Sequence, residues 1–203
     1  MDAAERIKKS LQTMSTIFHL RGYTDVAKTY TKKQIKKLHV VELTALHHNP
    51  RNKRCEKVTC VWLPINPWKM EANIGVKDMA MYLDSFGGDH LIVVTDKISR
   101  HAIMLMEQKP GLYFEVVTYV DSSYTKHTHM FVPTYTLMDE DSIAEVERRF
   151  GPRRNFTKMI ARVDAMARYM DFRPGDVVKT SKKSTISGLT DSYRLVIAPH
   201  DHD

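Results

Sequence analysis

Six consecutive residues, His90-Leu91-Ile92-Val93-Val94-Thr95, constrain this chain more than any others. The run does not alternate apolar with polar, which predicts a strand buried on both faces rather than one resting on a single core. Gly87-Gly88 precedes it and stops a helix predicted over 76–86, with Val76, Met79, Ala80 and Leu83 as its buried face. Ser99 follows it and caps a second helix running through Glu107, which Pro110-Gly111 ends. Tyr113–Val120 is a further strand. This α-β-α-β order predicts a small α/β domain on a partly parallel sheet.

Upstream, residues 2–21 form an amphipathic helix with Ile7, Leu11, Met14 and Phe18 on one face. Arg21-Gly22-Tyr23 closes it with a glycine just past its end. A helix over about 31–38 carries Lys32, Lys33, Lys36 and Lys37, and strands are expected at 39–46 and 57–64 around a basic loop, 47–54. Downstream, Asp121–His129 is polar and marks a domain boundary, placing one domain at 1–126 and another at 127–203. Met130-Phe131-Val132-Pro133 is expected as a short strand stopped by its proline, and 139–150 as a helix with acids in its first turn and Arg148-Arg149 in its last. Asp164 caps a short helix, Pro174-Gly175 turns the chain, and strands at Asp176–Lys179 and Tyr193–Ile197 flank a bend at Ser187-Gly188.

Charge is segregated. Residues 1–60 hold thirteen Lys and Arg against five Asp and Glu, whereas the rest hold eighteen against nineteen. A basic first third suits a phosphate backbone or, more plainly, a solvated helix face. No apolar run approaches the ~18 residues that cross a bilayer, and Met1–Glu5 lacks the apolar core of a secretory leader. The expectation is a cytosolic or nuclear protein with no membrane partner. Cys55 and Cys60 give no disulfide framework, and with His47-His48 they lack the paired spacing of a zinc site. No phosphate-cradling glycine motif occurs, so no cofactor or small-molecule substrate is expected.

The segment Asp164–Ile197 carries a family pattern: Asp164, Ala167-Arg168-Tyr169, Gly175, Val177-Val178-Lys179, Ser184, Ser187-Gly188 and Tyr193-Arg194-Leu195-Val196. It resembles the closing part of the fifth-subunit family of multisubunit DNA-dependent RNA polymerases, in its archaeal form and in its eukaryotic and viral relatives. His129-Met130-Phe131-Val132-Pro133-Thr134-Tyr135 is similar to the motif that opens that family's C-terminal domain, with Tyr135 in place of a histidine. Ile74-Gly75-Val76-Lys77, His90–Val94 and Arg21-Gly22-Tyr23 resemble elements of the longer N-terminal domain that archaeal members lack. Two departures stand out. Ala165 replaces a proline, and Ser99-Arg100-His101 stands where the family has Thr-Pro-Ser beside downstream DNA.

The resemblance implies an N-terminal jaw domain with a restriction-endonuclease-like sheet flanked by helices, and a small α+β C-terminal domain that assembles into the enzyme. It implies a non-catalytic subunit whose partners are the largest polymerase subunit, other polymerase subunits and downstream duplex DNA gripped without regard to sequence. The nucleus is the implied location, or the host cytoplasm or virion for a cytoplasmic DNA virus. Residues implied near DNA are Ser99, Arg100 and His101, with Lys32, Lys33, Lys36 and Lys37. Those implied at the subunit interface are Val132, Pro133, Asp164, Arg168, Tyr169, Gly175, Val177, Val178, Gly188, Tyr193 and Arg194. Asp164 and Arg168 have the spacing of a helical ion pair, with Arg194 within reach.

Two other classes remain open to the sequence. One is a free-standing transcription cofactor on the same fold. The other is a nuclease using Asp96 with Glu107-Gln108-Lys109, the one spacing in the first domain that suits magnesium-assisted hydrolysis. Glu107 is predicted to close a helix, whereas that chemistry needs carboxylates on neighbouring strands. His127 and His129 alternate on an extended segment; His129, the twelve methionines and the Pro199–Asp203 tail are read as structural, as core filler and as a frayed end.

Overall fold

A computed structural model of the chain describes residues 3–27, 41–47, 57–62, 73–161, 163–184 and 188–198. The helix expected at 31–38 with its four lysines, the basic loop after His47, Cys55, Ser187 and the tail lie outside the described residues. The chain divides into two compact units, residues 1–124 and 125–203.

The first unit is built on a five-stranded sheet. β1 (Tyr23–Ala27), β2 (Val41–His47) and β3 (Lys57–Trp62) run antiparallel. β3, β5 (His90–Thr95) and β7 (Tyr113–Thr118) run parallel, and the order across the sheet is β1-β2-β3-β5-β7. All six residues of β5 are buried, because it lies between two strands and under helices on both faces. On one face Val61, Leu91 and Val93 meet Met79 and Leu83 of α2 (Val76–Ser85) and Ala102 and Met106 of α3 (Arg100–Gln108). On the other, α1 (Ala3–Leu20) lies across the sheet with Ile7, Leu11, Met14 and Phe18 buried. There the buried Trp62 indole donates to Ser10 Oγ at 2.9 Å, and Ser10 donates to Ser122 at 2.6 Å.

The sequence places α2 correctly and half of its face: Met79 and Leu83 are buried as expected, Val76 and Ala80 are not. Val76 is 40% exposed and Ala80 is half-buried. Val76 is the first helical residue, turned away from the sheet, and Tyr82 and Phe86 fill the core in its stead. A two-stranded parallel sheet, β4 (Asn73–Ile74) with β6 (Lys97–Ile98), feeds both α2 and α3.

The second unit has a four-stranded sheet made of β8 (Thr134–Leu137), β9 (Thr157–Ile160), β10 (Val177–Ser184) and β11 (Gly188–Ile197), in the order β8-β10-β11-β9. α4 (Glu140–Phe150) covers one face through Ile143 and Val146, packed with Phe156 and Val177. α5 (Ala165–Met170) covers the other through Ala167, packed with Met159, Phe172, Val178 and Val196. Asp139 caps α4, its carboxylate accepting from the Ser142 N–H at 2.8 Å.

Two expectations change here. Met130–Pro133 is turn rather than strand, and the strand starts after the proline: Val132 N–H donates to His129 O at 2.9 Å, which folds the segment on itself. β10 and β11 also run well past the expected Asp176–Lys179 and Tyr193–Ile197, because polar side chains on a two-stranded ribbon pair backbone as well as apolar ones.

Candidate assembly surface and phosphate-facing corner

In the second unit, Asp164 stands at the head of α5 and its Oδ1 accepts the N–H groups of Met166 (2.8 Å) and Ala167 (3.0 Å). The cap fixes the helix start that the sequence leaves without its proline. The Asp164 carboxylate thus serves the helix end rather than the expected pair with Arg168, which is exposed. Tyr169 is buried, its hydroxyl 3.0 Å from His127 Nδ1 and its ring beneath Lys126. Asp171 ends the helix in the left-handed region at φ 55°. The following turn is clamped onto β11: Gly175 N–H donates to Val196 O, and Val196 N–H donates to Asp176 O, each at 2.9 Å. Gly175 has φ 94°, a conformation that costs a residue with a Cβ.

Val177 and Val178 point to opposite faces of the sheet, one into each core cluster, and both are 0% exposed. That corrects their placement at an interface. Two adjacent valines on a central strand are core, and they shape the surface without touching a partner. The exposed or half-exposed candidates are Val132, Pro133, Asp164, Arg168, Gly175, Gly188, Tyr193 and Arg194. Burial pushes the Tyr135 hydroxyl pKa up, Arg194 pulls it down, and Asp164 pushes it up, so both charges act on the residue that replaces the family's histidine.

Sequence reasoning misses the exposed apolar groups of this unit. Met130 and Phe131 are 85% and 74% exposed on their turn, and Phe150 is exposed beside the Tyr193 ring, 5.6 Å between centroids. An apolar pair just ahead of a proline is the available signal, and it is shared by a strand end and by a turn.

The first unit presents a different chemistry. Ser99 N–H donates to Ile74 O at 3.2 Å, so the first turns of α2 and α3 start side by side. Ser99 caps α3 by accepting the Ala102 N–H at 3.2 Å. Arg100, His101, Lys97 and Lys77 are exposed around the two helix starts. Asp78, whose carboxylate accepts the Gly75 N–H, is the one acid in these first turns. Two helix N-termini ringed by cations suit phosphate oxygens.

The nuclease constellation is not supported. Asp96 is ion-paired with Arg6, and the Lys109 ammonium donates to the carbonyls of Leu83 and Phe86 at the end of α2 (2.5 and 2.7 Å). Glu107 is exposed on its helix. Among the described residues no three His, Cys, Asp or Glu gather as metal ligands.

A closed polar network lies on the α1 side of the first sheet. Arg21 makes a two-pronged contact with Glu115 (2.8 and 2.9 Å), His90 Nε2 is 2.8 Å from the same carboxylate, and Tyr23 OH is 3.4 Å from His90 Nδ1. Burial pushes the Glu115 carboxyl up, but the Arg21 charge and hydrogen bonds from His90 and Arg21 outweigh it and hold it at about 2. Burial, reinforced by Glu115, pushes the nearby Cys60 thiol well up, which keeps it protonated and inert. Gly22, at φ 86°, makes the turn that lets Arg21 and Tyr23 both reach this network. An acid in the middle of the apolar strand Tyr113–Thr118 is its sequence signal.

The second unit is of a recognisable class: residues 124–196 match the family model described as RNA polymerase Rpb5, C-terminal domain. Similar curated proteins include the DNA-directed RNA polymerase subunit Rpo5 of Methanococcoides burtonii, 32% identical over 76 residues (37% of this chain, 97% of that protein). Those of Archaeoglobus fulgidus (30% over 69 residues; 34% and 91%) and Saccharolobus solfataricus (30% over 70 residues; 34% and 83%) are also similar. The chain belongs to the Rpb5/Rpo5 family of RNA polymerase subunits.

Proposed function

We propose that this chain is a non-catalytic subunit of a DNA-dependent RNA polymerase, anchored by its C-terminal domain to the largest subunit. The observation that carries this reading is the family match over residues 124–196, which takes in both covering helices and all of the sheet and of the Asp164–Ile197 motif but the final Ile197. Arg168, Tyr193 and Arg194, with the exposed Met130 and Phe131, supply the anchoring surface; aromatic residues, methionine and arginine are favoured at such surfaces. The N-terminal unit, read as a jaw with a restriction-endonuclease-like sheet, lies beside incoming duplex DNA. Ser99, Arg100 and His101, and the lysines 32, 33, 36 and 37, hold phosphates without reading bases. The nucleus is the proposed location, or the site of viral transcription if a cytoplasmic virus owns the chain.

Stable co-purification with the catalytic subunits tests the anchoring. The DNA-facing half has its own test in the assembled enzyme. Arg100→Glu, or reversal of Lys32, Lys33, Lys36 and Lys37 to Glu, is expected to flatten the salt dependence of DNA binding by about 0.9 in log–log slope for each phosphate no longer neutralised. A slope that does not change makes these cations solvated surface.

A further inference from the structure

β10 and β11 pair over eight positions, from Val177 opposite Leu195 to Ser184 opposite Gly188. Their outer neighbours are shorter: β8 pairs only with Val178–Ser181, and β9 only with Arg194–Ile197. Among the described residues, the outer half of the hairpin is therefore a two-stranded ribbon open along both edges, a form only marginally stable in water. Backbone hydrogen bonds fix which groups face outward. Val196 N–H donates across to Asp176 O, whereas Val177 O accepts from Met138 beside β8, and Ile197 O accepts from Ala161 beyond β9. By antiparallel alternation the odd-numbered residues direct their backbone groups outward. Past the end of β9 those residues on β11 are Leu189, Asp191 and Tyr193.

The two edges differ in kind. The β10 edge carries exposed Lys182 and Lys183, the usual guard against adventitious pairing. The β11 edge carries Leu189, 65% exposed, next to Thr190, and no lysine. The ribbon's one carboxylate, Asp191, is already engaged by the Lys179 ammonium (2.7 Å) and the Ser181 hydroxyl (2.6 Å). The side chains of Lys182 and Arg194 project from the same face of the ribbon, and those of Leu189 and Tyr193 from the other.

We propose that the edge of β11 at Leu189–Tyr193 receives an extended segment of a partner polypeptide as an added strand, with apolar and acidic residues in alternation. The proposal rests on the reading of this unit as the assembly domain, and it names how the partner is held. The ladder groups of Leu189 and Asp191 give the pairing. Leu189 and Tyr193 meet the segment's apolar side chains, and Lys182 and Arg194 meet its carboxylates. A second copy of this chain paired through the same edge is a poor occupant, because the ribbon's one acid, Asp191, lies on the face opposite Lys182 and Arg194 and is already engaged.

The test uses the full chain, alone and co-expressed with the two largest subunits of its polymerase, with amide hydrogen exchange read residue by residue. The Leu189 and Asp191 amides are expected to exchange fast in the free chain and at least tenfold more slowly in the complex, while Thr190 and Ser192 are protected in both. Leu189→Pro removes an outward N–H without touching the hairpin ladder, and Leu189→Lys installs the missing guard. Each is expected to weaken incorporation about tenfold with an unchanged melting temperature. If the chain enters the complex and both amides still exchange at the free rate, the added strand is wrong although the assembly reading stands. Protection in the isolated chain that disappears on dilution assigns the edge to a second copy and also overturns the proposal. Failure of the chain to join the large subunits at all removes the assembly reading itself.

Discussion

Glu115→Gln is expected to lower the stability of the N-terminal unit by about 3–5 kcal/mol, the usual cost of removing one partner from a buried ion pair. The substitution leaves the Arg21 guanidinium, 4% exposed, facing an uncharged amide, and it weakens the hold on the fully buried His90. The same network sets an acid limit. The Glu115 carboxyl sits at about 2 in the folded chain, below its ordinary 4.5. Its stabilising contribution is therefore complete above about pH 4.5 and is lost as the pH falls from there towards 2. Both tryptophans, Trp62 and Trp68, lie in the first unit, so urea titrations followed by tryptophan fluorescence report on it. The wild-type midpoint should fall across that acid window, and the Glu115→Gln midpoint should be lower at neutral pH and flatter in acid. Equal midpoints at neutral pH contradict the brace.

Val178→Asp is expected to unfold the C-terminal unit and abolish incorporation into the polymerase. Val178 is fully buried among Met159, Ala167, Phe172 and Val196. Burying a charge there costs several kcal/mol, against a total stability of roughly 5–15 kcal/mol for a domain. The milder Val178→Ala leaves a cavity worth roughly 2 kcal/mol and should stay folded and assemble. Arg168→Ala, at an exposed position, should leave melting unchanged and weaken docking alone. Circular dichroism together with co-purification separates the three. A Val178→Asp chain that melts like the wild type would place this residue at a surface and overturn the core assignment.

Where one residue pattern allows one geometry, the fold is legible. His90–Thr95 can only be a doubly covered strand, and Ser99 and Asp164 each announce a helix start that the hydrogen bonds bear out. The misreadings have physical reasons. Val76 has the right spacing for a buried face but sits in the first turn, where the chain enters from outside the core. Met130 and Phe131 are apolar enough for a strand, yet a turn closed by His129 leaves them in solvent. The β10–β11 ribbon outruns its expected length because Lys179–Ser184 has no apolar alternation; its ladder is made by backbone, which composition does not encode.

The candidate surfaces are legible only in part. Motif spacing brings Asp164, Arg168, Tyr169 and Arg194 to notice, but spacing does not separate a capping aspartate from an ion-paired one, or a core valine from a contacting one. The Arg21–Glu115–His90 network joins residues 94 and 25 positions apart, a separation beyond any local pattern. Gly22 and the lone acid of β7 are its only traces.

The central claim, that the chain is an RNA polymerase subunit held by its C-terminal unit, is tested most directly by purifying the tagged chain from its native source and identifying its partners by mass spectrometry. The expected result is a stable, stoichiometric complex containing two very large catalytic polymerase subunits. A monodisperse free monomer, with neither subunit retained, would contradict it.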